Sequence, residues 1–114
     1  MKSHYILITI LIFFVNNILI WYQLNGQLVW NWWKTTQGML TTLLLALPIT
    51  IAFWWATKLG YQGFGNLWPV RLMGFATSMM TFPIMTYFYL GEVMTLTTII
   101  SILLAFIIML IQLV

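Results

Sequence analysis

Residues 5–22 read YILITILIFFVNNILIWY, an apolar run interrupted only by Thr9 and the pair Asn16-Asn17. A bilayer-spanning helix takes about 20 mainly apolar residues, and this stretch has that length and that composition. The competing reading is a secretory signal, since a basic start and an apolar core are both present. The run is long for such a core, however, and no small-x-small cleavage site follows it. It is therefore read as the first transmembrane span.

The segments that follow repeat the pattern. Residues 23–37, QLNGQLVWNWWKTTQ, carry the turn signal Asn25-Gly26 and then Trp30, Trp32 and Trp33 beside Lys34. Indole rings settle at headgroup level, so 23–37 is expected to lie along the membrane interface. A second span is expected over 38–56, closed by Trp54, Trp55 and Lys58 ahead of a glycine-rich turn, Gly60 to Asn66. Pro48 inside it removes one backbone donor and predicts a kink. A third span covers 69–90, opening on Pro69, which suits a first helical turn, with Pro83 as an interior break. Gly91 allows a turn into the last span, 93–113. The expected fold is an all-α integral membrane protein, one domain of 114 residues forming a four-transmembrane-helix bundle.

Composition agrees. Hydrophobic residues make up 63% of the chain and charged ones 4%, where a soluble domain has about 25% charged. The net charge of +3 comes from Lys2, Lys34, Lys58 and Arg71 against Glu92 alone. Four scattered cations do not make a phosphate-tracking face, so nucleic acid is not an expected partner. With four spans, Lys2, Lys58 and Arg71 gather on one side and Lys34 on the other. The positive-inside rule then puts both termini of this multi-pass chain in the cytoplasm.

Catalysis needs groups that are scarce here. One histidine, one acid and no cysteine leave no metal site, hydrolytic triad or carboxylate pair within one copy. No catalytic residue, metal or cofactor is expected, and the chain does not read as an enzyme. Glu92, the only acid, is placed at the start of the fourth helix, where the helix dipole favours a carboxylate; a proton or cation site is the alternative role. Asn16 and Asn17 lie inside span one, the former in a stripe with Thr9 and Gln23, and read as interhelical glue or as the lining of a path. Gly74 and Ser78, with Thr81, and on the last span Thr97, Ser101 and Ala105 at successive fours, mark helix-packing seams. On a straight helix Glu92 would point nearly opposite Ser101, so one face cannot serve both. Trp54 and Trp55 offer either an interfacial anchor or a box for a cation. Arg71 and Trp55 complete the candidate solute path with Glu92, Asn16 and Asn17.

The stretch Lys58-Leu59-Gly60-Tyr61, then Phe64, Pro83 and Tyr89-Leu90-Gly91-Glu92, resembles short four-span members of the drug/metabolite transporter superfamily, to which the small multidrug resistance proteins belong. Asn17 followed by Trp21-Tyr22 is similar to the first span of another branch of that group. The resemblance implies a chain equivalent to half of a larger carrier, acting as a dimer and moving small organic or cationic solutes, often against protons. Small multidrug resistance proteins carry their coupling glutamate in span one. Here that span offers Asn16 and Asn17, and Glu92 matches the turn motif instead. Two functions are thus expected from the sequence. One is a carrier-like oligomer for a small organic or cationic solute; the other is a non-catalytic structural or accessory subunit of a larger membrane complex. A pore-forming role is the third, though the charged tail usual in such proteins is missing. The lipid bilayer is a partner in every case.

Overall fold

The computed structural model describes residues 3–114, so Lys2, which entered the charge count, lies outside the described residues. The chain is all-α. Helix α1 spans Ser3–Val29, a 3-10 turn covers Asn31–Lys34, and α2 spans Thr36–Phe64. Helix α3 spans Leu67–Leu90 and α4 Leu96–Leu113. Helices α1, α2 and α4 are long and apolar enough to cross a membrane. Helix α3 has the length but carries Arg71, Ser78, Thr77, Thr81 and Thr86 along its course.

Helix α1 is the centre of the fold, packed against both α2 and α3. It runs antiparallel to α2: Ile6 faces Gly63, Thr9 faces Gly60, and Asn16 reaches Ile49. It runs parallel to α3, with Phe13 on Gly74, Asn17 on Thr77 and Trp21 on Thr86. Helix α4 packs along α3 only, so the four helices make a flat slab, 46 × 35 × 18 Å, in place of a square bundle.

Many polar side chains lie inside the fold and many large apolar ones lie outside it. The buried side chains include Thr9, Asn16, Asn17, Thr77, Thr81 and Thr86. The exposed faces carry Leu7, Leu11 and Val15 on α1, and Leu43, Leu44, Leu47 and Ile51 on α2. A water-soluble domain keeps most of its Thr and Asn outside. One contiguous apolar cluster of the core is Phe13, Ala56, Val70 and Met73, with Met109 and Leu113 of α4 among the side chains packed against it.

Several local expectations change. The Asn25-Gly26 pair does not turn; α1 continues through it to Val29, and of residues 23–37 only 30–35 leave the two long helices. Gly26 is buried because the Trp33 ring lies where its Cβ would be, and Gly38 packs directly on the Trp33 backbone. The glycine-rich turn is likewise mostly helix. Gly60 and Gly63 let α1 approach α2 through Thr9 and Ile6, and the reversal is left to Gly65, at φ 85°, with Asn66 as N-cap position of α3. The break expected at Pro83 does not occur, since α3 is continuous through it; α2 likewise continues through Pro48.

The last correction concerns Glu92. Helix α3 ends at Gly91, which is left-handed at φ 68°, and residues 91–95 are non-helical. Glu92 therefore stands ahead of α4 and takes no part in its first turn. The cap is Thr95, whose hydroxyl accepts the Thr98 N–H at 3.2 Å.

Candidate functional site

Side chains of α1 supply the polar contacts that orient its neighbours. The Asn16 amide donates to the Ile49 carbonyl of α2 at 3.2 Å, and Gln23 donates to the Thr42 carbonyl at 3.0 Å. Towards α3, Asn17 Nδ2 donates to Thr77 Oγ1 at 3.0 Å and Trp21 Nε1 to Thr86 Oγ1 at 3.1 Å. The Tyr22 and Tyr89 hydroxyls are bonded to each other. Below them an aromatic group forms: Trp30 stacks on both Tyr22 and Trp33, and Trp33 Nε1 donates to Thr42 at 3.1 Å. A medium without water would demand a protein partner for each of these donors, and α1 finds them on both flanking helices.

Between them α1, α2 and α3 leave a half-open groove of about 800 Å³. Its floor is α1, through Phe13, Asn17 and Ile20. One wall is Phe53 and Thr57 of α2, and the other is α3 from Leu67 to Ser78, with Arg71, Gly74 and Phe75 facing in. The walls are mostly apolar. That volume lies within the roughly 300–1,000 Å³ of small-molecule sites.

The structure brings four of the sequence-derived candidates together here: Asn17, Arg71, Gly74 and Ser78. Gly74 also acts as a seam, since a Cβ there would sit 3.1 Å from the Phe13 ring. Asn16 is adjacent in sequence but turned to α2; its Oδ1 is buried with no partner among the described residues. Trp55 lies outside the groove, edge-on to Trp54, and Lys58 Nζ stands 5.1 Å from the centre of each ring. The aromatic box is thus occupied by the chain's own cation.

Glu92 is at the other end of α3 from Arg71, roughly 30 Å away at 1.5 Å per residue. It borders a separate hollow of about 250 Å³ between α3 and α4, with Thr86, Thr98 and Ser101. The expected opposition of Glu92 and Ser101 fails because Glu92 is not on the helix; both face the same hollow. On α4 the seam against α3 runs through Ser101 to buried Ala105, while Thr97 is exposed and only accepts the Ser101 hydroxyl through its carbonyl at 2.9 Å.

Sequence reading missed Thr77, Thr86 and Phe13, which complete the α1–α3 contact. The available signal was the spacing of four between Asn17 and Trp21, which puts both donors on one helical face. Compared with protein-family models, with curated proteins and with solved structures, the chain matches none.

Proposed function

We propose that this chain is a four-span integral membrane protein, working as an oligomer, that takes a small organic solute sideways from the bilayer into the groove between α2 and α3. The observation that carries this reading is the groove: an apolar, half-open volume of about 800 Å³ with one amide, Asn17, and one cation, Arg71, in its lining. A carrier of this kind needs apolar walls for the bulk of the solute and a few polar groups for orientation. The resemblance to the drug/metabolite transporter superfamily points the same way. The groove holds no acid, so it suits a neutral or anionic amphiphile better than the organic cations that the resemblance implies.

The test is transbilayer movement in reconstituted vesicles, followed for ethidium and for a nitrobenzoxadiazole-tagged short-chain phospholipid. Intact protein is expected to accelerate the phospholipid, and Ser78→Phe, which fills the inner end of the groove, to abolish the gain. Absence of movement of either probe with intact protein overturns the carrier reading.

A second reading, a structural subunit of a larger membrane complex, is favoured by α4, of which Ala105 alone is buried. Such an open apolar helix is suited to packing on a foreign subunit. Extraction in mild detergent separates the two: a homo-oligomer by mass supports the carrier, and fixed-stoichiometry co-purification with other subunits supports the accessory role.

A further inference from the structure

The groove has a direction. It begins at Leu67 and Trp68 in the first turn of α3 and ends at Ser78. Eleven residues of helix rise roughly 16 Å, about half of the 30 Å hydrocarbon thickness of a bilayer. The outer end is at interfacial level, since the α2–α3 reversal at Gly65-Asn66 and the Trp54–Lys58 group lie there. The groove is therefore one leaflet deep, open on the lipid side, and lined inward by Phe13, Phe53 and Phe75.

Its charge is equally one-sided. Arg71 is exposed near the outer end and, among the described residues, has no hydrogen bond or ion pair. The only acid, Glu92, belongs to the other end of α3. An unpaired guanidinium above an apolar slot calls for an anion with a tail. Guanidinium pairs with phosphate through two parallel hydrogen bonds, whereas a zwitterionic head supplies its own counter-charge.

We propose that the groove holds one chain of an anionic membrane phospholipid, its phosphate head on Arg71 and its hydrocarbon tail lying inward along Phe13 and Phe53 as far as Ser78. This rests on the groove being the solute site and names the class of solute.

Native mass spectrometry of the protein, delipidated in mild detergent and offered equimolar dioleoyl phosphatidylglycerol and dioleoyl phosphatidylcholine, tests it. The intact protein is expected to retain phosphatidylglycerol with roughly tenfold preference, the ratio that one charge-assisted hydrogen bond supplies. Arg71→Gln should bring the ratio close to one, Arg71→Lys, which keeps the charge but not the paired hydrogen bonds, should give an intermediate ratio, and Lys34→Gln at the opposite end should leave it unchanged. Ser78→Leu should lower retention of both lipids; helix content by circular dichroism and an unchanged elution volume establish that the variants fold. Equal retention of the two lipids, a preference insensitive to Arg71→Gln, or displacement by millimolar inorganic phosphate alone overturns the inference. If the lipids do not discriminate but Ser78→Phe still blocks probe movement in vesicles, the carrier reading stands and only the lipid assignment falls.

Discussion

Asn17 of α1 donates its side-chain amide to the Thr77 hydroxyl of α3 at 3.0 Å, and that hydroxyl lies 3.0 and 2.9 Å from the Met73 and Gly74 carbonyls of its own helix. Thr77 thus accepts from one helix while its proton goes to the other, and neither group needs water. The contact fixes the rotation of α1 against α3, and with it the side of α1 that floors the groove.

The Asn17–Thr77 pair is expected to be worth modestly more than nothing. In a double-mutant cycle of Asn17→Ala and Thr77→Val, measured by unfolding in mild detergent, the coupling should be about 0.6 kcal/mol and not above roughly 1.7 kcal/mol. A coupling of zero would mean that the two side chains do not meet in the folded protein.

Gly38 and Gly65 should respond in opposite ways to a side chain. A Cβ at Gly38 collides with the Trp33 backbone, which cannot move without lifting the 3-10 turn off α2, so Gly38→Ala should cost about 1–3 kcal/mol. At Gly65 there is open space, and only the left-handed φ of 85° opposes substitution. Gly65→Asn, a residue that tolerates that conformation, should leave the unfolding midpoint nearly unchanged.

At the start of α4 the stabilising residue is Thr95 and not the acid. Thr95→Ala should cost about 1 kcal/mol, as for other lost N-caps, and Glu92→Gln should have no measurable effect on the same thermal unfolding curve. The reverse order would place Glu92 in the helix after all.

On the proposed four-span reading, membrane sidedness follows from the end at which each loop stands. Tyr22 and Tyr89 are hydrogen-bonded, which puts the Lys34 turn and the Glu92 segment at one end of the slab; Lys58 is at the other. Single cysteines at 34 and 92 should react with an impermeant thiol reagent from one side of the membrane, and a cysteine at 58 from the opposite side. Labelling of 34 and 58 from the same side would exclude the arrangement in which α2 crosses the bilayer.

The positions of the helices were legible from hydropathy to within a few residues on α3, where 69–90 became Leu67–Leu90. They were less so where glycine was read as a turn. Gly26, Gly60 and Gly63 carry the composition of a reversal, yet each is buried under a side chain of another element: Trp33, Val70 and Ile6. Whether a glycine bends a chain or admits a neighbour depends on what lies opposite, and that partner is distant in sequence. Arg71 and Asn17 were legible as candidates from their chemistry, but nothing local linked them.

Local composition determined that the chain is helical, apolar on its outside, poor in catalytic groups and banded with tryptophan, because hydropathy and aromatic placement act residue by residue. The tertiary structure decided the rest. It made α1 the shared partner of α2 and α3, laid α4 on α3 alone, took Glu92 off the helix, and opened the groove beside Asn17 and Arg71. Those outcomes depend on the rotation and register of whole helices, set by bonds such as Asn16 to Ile49 and Trp21 to Thr86 across separations of 33 and 65 residues. The periodicity of a single helix carries no information about such pairings.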